Sequence, residues 1–300
     1  MSEIRARSLP GLPEIAAGDD LAELIALTAG AAESVAPGSG AGGGDGAPGT
    51  GLRDGEIVAI AHKAVSKAEG AVVALAGVVP SPRAREMAAT LSAEGDGRER
   101  DPRVIQAILD QSSEVVRAQR GVLICRTHHG FVCANAGVDA SNAADDASNA
   151  AAGASNAGVD ASNASTGGEG ERLIVLPADP DASARRLRAR LRELTGARVA
   201  VLITDSFGRA WRQGQCDVAL GCAGMAPLDD WRGRSDGSGR ELTATVLAVA
   251  DAAAAAADLA RAKDSREPVV IISGLERFVT DDDGPGAGAL LRALEEDLFR

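Results

Sequence analysis

Tyrosine is absent from this chain of 300 residues, and its other aromatic side chains are four phenylalanines and two tryptophans. Its core must therefore be built from Val, Leu, Ile and Ala, and an apolar content of 45% is enough to build one. Lysine is nearly absent too: of 31 basic residues only Lys63, Lys67 and Lys263 are lysines. Positive charge as a whole is in deficit, and a net charge of -12 excludes a broad electrostatic grip on nucleic acid or an anionic membrane. Neither is expected as a partner, which leaves small molecules. No apolar run reaches the roughly 20 residues that span a bilayer; the Ala-rich stretch 244–260 carries Asp251 and Asp258. The opening MSEIRARSLPG has no apolar segment of the signal-peptide kind, so no secretory leader is expected. Cys125, Cys133, Cys216 and Cys222 form no CxxC pair and read as core fillers, as suits a reducing cytoplasm. Neither GxxxxGK[ST] nor GxGxxG occurs, so any bound nucleotide is held by other means.

What is present alternates helix and strand patterns. DDLAELIALTA, 19–29, opens on capping aspartates and sets Leu21, Leu24, Ile25 and Leu27 largely on one side of a helix. The Gly/Pro-rich 36–51 reads as a flexible insertion. EIVAIAH, 56–62, is a compact strand leading into HKAVSKAEG. Ser-Pro and Asp-Pro openings predict helices over 81–93 and 101–118. GVLICRTHHGFVCANAG, 121–137, reads as two strands joined by a tight turn at 128–130. Further expectations are strands at 172–176, 198–204, 217–223 and 268–273, and helices at 182–195, 241–262 and from about 285. The pattern is that of an α/β or α+β chain with a mixed sheet.

NAGVDASNA fills residues 135–143 and returns unchanged at 156–164, while ASNA starts at 140, 147, 154 and 161. A coiled coil is excluded, because a heptad seam needs large apolar residues and only Ala, Ser, Asn, Asp and Gly are available here. The segment 140–170 is a low-complexity loop of the kind that tandem duplication of a short coding segment leaves behind. Loop-closure entropy grows only logarithmically, so the extra length costs little. Asp139 continues the strand GFVCANAG, whereas Asp160 lies within the loop, so Asp139 is favoured as the functional copy.

Three stretches carry chemistry. In VAVLITDSFGRAWRQGQ a buried-strand pattern delivers Asp205 and Ser206, oxygen donors suited to a hard divalent cation; the alternative is a turn or helix cap. Asp139 ends another strand in the same way. Lys63 and Lys67, compact point charges in an arginine-rich chain, suit phosphate oxygens, with solvated surface lysine as the alternative. His128 and His129 are read as a turn pair. Arg209, Arg212, Arg232, Arg234 and Arg240 crowd a segment with both tryptophans, which either binds an anionic substrate or forms a salt-bridged surface.

Seven blocks in order carry a resemblance: LPGLPEIAAGDDLAELI, HKAVSKAEG, DPRVIQAILDQSSEVVR, HHGFVCANAGVDASN, LPADPDASARRLR, ITDSFGRAWRQGQCDVALGCAGMAPLDDWRGR and GRELTATVLAVAD. Together they resemble the coenzyme F420-0:L-glutamate ligase family, the γ-glutamyl ligases of deazaflavin coenzyme biosynthesis. The resemblance implies a single mixed α/β unit over 1–300 interrupted by the two insertions, and a homodimer. It implies GTP, L-glutamate and F420-0 as substrates, Mg2+ or Mn2+ as the divalent cation, K+ as a further cation, and further γ-linked glutamate additions. By the same resemblance Asp139, Asp205 and Ser206 hold the metal, Ser206 standing where the family usually has Thr. Leu12, Pro13, Glu14, Ile15, His62, Lys63, Lys67 and Asn142 line the GTP site, and Lys67, Asp139 and Asp205 act in catalysis. Asp160 and Asn163 would replace Asp139 and Asn142 if the second copy were used. The chain departs from the family's YGREL at Ser238-Gly239-Arg240-Glu241-Leu242 and from its MGK at Arg261-Ala262-Lys263. On the residues alone, a metal-dependent nucleotide phosphohydrolase and a non-catalytic nucleotide-binding module stay open.

Overall fold

The computed structural model describes residues 3–35, 51–95, 98–139 and 171–297. The insertion at 36–51, apart from Gly51, and the repeat loop at 140–170, with Asn142, Asp160 and Asn163, lie outside the described residues. In chain order the elements begin with β1 (Arg5–Ser8), α1 (Leu21–Val35), β2 (Ile57–Ala61), α2 (His62–Ala68) and β3 (Val72–Ala74). Next come α3 (Pro82–Glu94), α4 (Pro102–Asp110), β4 (Ser112–Gln119), β5 (Val122–Thr127), β6 (Val132–Ala134), β7 (Arg172–Ile174) and α5 (Pro180–Thr195). The last are β8 (Ala200–Arg209), β9 (Arg212–Ala223), β10 (Leu228–Asp230), β11 (Val246–Ala248), α6 (Val249–Ala260) and β12 (Val269–Ser273).

These elements form two compact units. The first comprises the described residues of Met1–Ala68, Asp179–Asp205 and Asp217–Arg300. It is built on a mixed sheet of order β1-β12-β2-β8-β9, in which β2 and β8 run parallel while β12 is antiparallel to both β1 and β2. Alternation along the strands gives each face its own half of the core. Ile57, Ala59, Leu202, Val270 and Ile272 join Ala250, Ala253, Ala254 and Ala257 of α6 in one buried cluster. An alanine face lets the helix approach the sheet closely, which is how a chain with so few aromatics reaches interior packing density. The alternate residues Val58, Ile60, Val201 and Ile203 are equally buried.

The second unit comprises the described residues of Glu69–Ala178 and Ser206–Cys216. Its sheet β4-β5-β6 shares a core with α3 and α4, through Leu91, Val104, Ile105, Ile108, Leu123 and Cys125. Both helices start as their Ser-Pro and Asp-Pro signals predict. The Ser81 hydroxyl accepts from Ala84 N–H at 3.2 Å and the Asp101 carboxylate from Arg103 N–H at 2.8 Å, with proline in the first helical turn of each. The expected turn at 128–130 is present: Gly130 N–H donates to Thr127 O at 3.0 Å.

Three sequence expectations are corrected. The helix expected over 101–118 stops at Asp110, and SSEVVRAQ forms β4 instead, where β-branched Val115 and Val116 and antiparallel pairing with β5 outweigh the helical spacing. The helix expected over 241–262 begins only at Val249, after β11 has paired with β10. From 285 onward the chain forms 3₁₀ turns rather than a helix. Gly286 has a left-handed φ of 82°, and the N–H groups of Ala287 and Gly288 donate to the Asp181 carboxylate at 2.7 and 3.3 Å. No helix among the described residues is long and apolar enough to cross a membrane.

Asp251, in the first turn of α6, accepts from Ala219 N–H at 2.9 Å, and burial pushes its carboxyl above the ordinary aspartate range. A carboxyl raised on folding favours the protonated native state. Its contribution is full below the unfolded value and is lost as pH rises through the folded one. Asp251→Asn keeps an oxygen acceptor and removes the buried charge. The variant should therefore unfold at a higher urea midpoint than the parent at pH 7, with the gap closing by about pH 3; equal midpoints at both pH values would contradict this.

Candidate active site

Strands β2 and β8 are paired in register from Ile57 with Ala200 to Ala61 with Thr204. Their parallel pairing ends at Ala61 and Thr204, and the next residue of each is polar: His62 opens α2 and Asp205 continues β8. The His62 Nε2 and Asp205 Oδ1 atoms lie 3.4 Å apart, with the His62 side chain 3% and that of Asp205 20% exposed. Behind the ring, Ser66 Oγ stands 3.5 Å from His62 Nδ1. The imidazole is thus held between a hydroxyl and a carboxylate, and the carboxylate keeps an edge open to solvent.

The other end of α2 carries Lys67, which pairs with Glu14. Ile15 is buried and Leu12 half-buried, anchoring their loop, while Pro13 and Glu14 are exposed. Gly18 N–H donates to Ala68 O at 2.9 Å and ties this loop to the end of α2. Lys63 is half-buried on the same short helix. Of the residues implied by the family resemblance, Glu14, His62, Lys67 and Asp205 are thereby linked through α2. An ion pair with a carboxylate as exposed as that of Glu14 contributes little to stability.

Beneath this edge lies a polar network that the sequence reading did not find. Asp217, fully buried on β9, accepts from Thr204 Oγ1 at 2.9 Å and from the Arg261 guanidinium. Arg261 also donates to Thr204 Oγ1 at 2.9 Å and to Pro268 O at 3.1 Å. Lys263 Nζ lies 3.7 Å from Asp217 and 2.5 Å from Asp258. Arg261 and Lys263 belong to the segment where the chain departs from the family's MGK. Arginine there is a partner for a buried carboxylate and not a surface charge. The available signal was Asp217 itself, a carboxylate inside the apolar run CDVALG.

In the second unit Asp139 makes an isolated bridge with Ile174, its N–H donating to Ile174 O at 2.9 Å and its C=O accepting from Ile174 N–H at 2.8 Å. The preceding Asn135 and Ala136 hold left-handed φ values of 52° and 53°, and a Cβ on Gly137, at φ 71°, would lie 2.8 Å from the Leu176 side chain. Non-glycine residues held left-handed store strain that surrounding packing must impose, a feature concentrated at functional sites. Ser206 is the first residue of this unit's share of β8. His128 and His129 sit in the expected turn, with His129 Nε2–H donating to Pro177 O at 2.9 Å. All four cysteines are free, and Cys125, Cys133 and Cys222 are buried as expected; burial, then the Asp181 carboxylate, pushes the Cys222 thiol up to about 12. Among the described residues no group of three His, Cys, Asp or Glu side chains is gathered as a metal site.

A mixed sheet whose polar side chains collect at the carboxyl end of its parallel pair is an architecture of α/β enzymes. The family described as F420-0:Gamma-glutamyl ligase matches residues 11–151 and 147–274, the two stretches meeting inside the repeat. A coenzyme F420:L-glutamate ligase of Methanopyrus kandleri is 38% identical over 99% of this chain and 98% of its own length. One of Methanothermobacter thermautotrophicus is 39% identical, covering 97% and 96%, and one of Halobacterium salinarum 38%, covering 99% and 96%. The chain belongs to the F420-0:gamma-glutamyl ligase family and is a ligase.

Arg261→Met should destabilise the protein by about 3–5 kcal/mol in urea unfolding, because it strips a buried carboxylate of its main partner. Asp217→Asn in the same chain should recover a measurable part of that loss, a non-additivity that a double-mutant cycle reads directly. Strict additivity would contradict the coupling.

Proposed function

We propose that this chain joins L-glutamate to F420-0 through an amide bond, with GTP as phosphoryl donor. The observation that carries the reading is likeness over nearly the whole chain, at 38–39% identity, to proteins named coenzyme F420:L-glutamate ligase. A carboxylate and an amine do not condense readily in water, so the acid must first gain a leaving group. The F420-0 carboxylate attacks the γ-phosphorus of GTP as the bond to GDP breaks; the glutamate amine then attacks the acyl phosphate, expelling phosphate and losing a proton. Lys67, released from Glu14, and Lys63 supply positive charge to the phosphoryl oxygens. His62 orients the Asp205 carboxylate. Leu12, Pro13, Glu14, Ile15 and Asn142 complete the nucleotide site in this reading.

Asp205 fits a hard divalent cation, because its carboxylate is part-exposed and oxygen is the donor type such cations take. In this reading Asp139 and Ser206 are the other ligands, with Mg2+ or Mn2+ as the ion and K+ as a further cation. The bound ion would neutralise triphosphate charge. Addition of further γ-linked glutamates, a homodimeric state and a cytoplasmic setting, which the free thiols favour, belong to the same proposal.

With F420-0, L-glutamate, GTP and Mn2+, mass spectrometry should show a product heavier by one glutamyl unit. Asp205→Asn should lower turnover by at least about a hundredfold, and Asp139→Asn, not Asp160→Asn, should do the same. GDP release that needs neither F420-0 nor glutamate would instead mark a nucleotide phosphohydrolase.

A further inference from the structure

A concavity in the first unit takes no part in the chemistry above. It measures about 370 Å3 and is lined by Leu228, Asp229, Trp231, Arg234, Arg277 and Phe278 among others. That volume lies within the range of pockets that hold small organic ligands. In a chain with four phenylalanines and two tryptophans, one of each lines this single depression. Both rings carry a guanidinium: Arg234 lies over Trp231 at 5.1 Å and Arg277 over Phe278 at 4.4 Å from the ring centroids.

The rings are fixed before any ligand arrives. Trp231 donates its indole N–H to Asp229 at 2.8 Å and its backbone N–H to Thr245 O at 3.0 Å. Phe278 accepts at its carbonyl from Ala226 N–H at 3.0 Å and leans on the core beneath. The arginines are less committed. Arg232 is engaged by Asp230 through two short bonds of 2.6 and 2.9 Å, which hold that carboxyl down at about 2. Arg234, by contrast, comes only within 3.7 Å of Asp229, and among the described residues Arg277 has no ion-pair partner. Two exposed cations thus stand over aromatic faces, with charge left to give.

We infer that this concavity binds a planar, fused-ring aromatic anion, its ring stacked along Trp231 and Phe278 and its negative group met by Arg277 and Arg234. Among the molecules of the proposed reaction the deazaflavin F420-0 has this chemistry and no site yet assigned to it, and naming it as the occupant rests on the function proposed above.

The test uses the full chain carrying Trp211→Phe. Trp211 is 80% exposed, and its replacement leaves Trp231 as the only tryptophan. Titration with F420-0 should quench Trp231 fluorescence and saturate below about 1 mM, while uncharged riboflavin quenches more weakly. Adding Arg234→Ala and Arg277→Ala, both exposed, should weaken the binding by about tenfold or more. Quenching by F420-0 that depends on the two arginines assigns the site to the acceptor. No quenching by F420-0, or equal affinity with and without the two arginines, overturns the inference. Glutamylated product without quenching would sink this site alone; quenching without product would sink the proposed reaction and leave the site standing.

Discussion

Five backbone pairings between β2 and β8, from Ile57 with Ala200 to Ala61 with Thr204, fix which residues of the two central strands stand side by side. A slip of one residue would turn every side chain to the other face and part His62 from Asp205. The register is strongly specified, because both faces of these strands are buried and every residue from Ile57 to Ile60 and from Ala200 to Ile203 is fully enclosed. Core packing therefore does more than stabilise the unit. It sets a histidine and a carboxylate side by side at the one edge where the apolar runs give way to polar residues.

The same edge is supported from below by a charge pair that the core encloses. A buried pair contributes little net stability, since desolvation offsets most of the Coulombic gain, but breaking it leaves an uncompensated charge. The Asp217–Arg261 pair joins β9 to the segment after α6, and Thr204, the residue before Asp205, is held by both partners. Strand register and buried pair act on adjacent residues of one strand. Arg261 keeps the carboxylate of Asp217 satisfied inside the protein.

Much of this was legible in the residues. The strand at 56–62, the proline-opened helices and the histidine turn follow from local chemistry: apolar runs, capping side chains and fixed proline φ. So did the mixed sheet, from the alternation of helix and strand patterns. What was not legible depended on partners distant in sequence. Residues 112–119 have a helical spacing that only pairing with β5 overrides, and 246–248 are a strand only because β10 lies beside them. The final segment forms 3₁₀ turns beside Asp181, whose carboxylate accepts from N–H groups more than a hundred residues away. At the site, Asp205 follows from its chemistry and from the resemblance, His62 from the resemblance alone, and their adjacency requires the parallel pairing. Asp217 was passed over because a carboxylate in a strand declares its importance only once its burial is known.

The chemistry proposed for the chain turns on Asp205 being the carboxylate that meets a cation, with His62 at its back. Three histidines make that directly observable by proton NMR, with the His62 ring assigned from a His62→Gln variant. Paramagnetic broadening by Mn2+ falls off steeply with distance, and the ring lies 3.4 Å from the carboxylate. With GTP present, substoichiometric Mn2+ should erase the His62 ring signals in the parent and leave them sharp in Asp205→Asn. Signals that stay sharp in the parent at saturating Mn2+ would contradict the account.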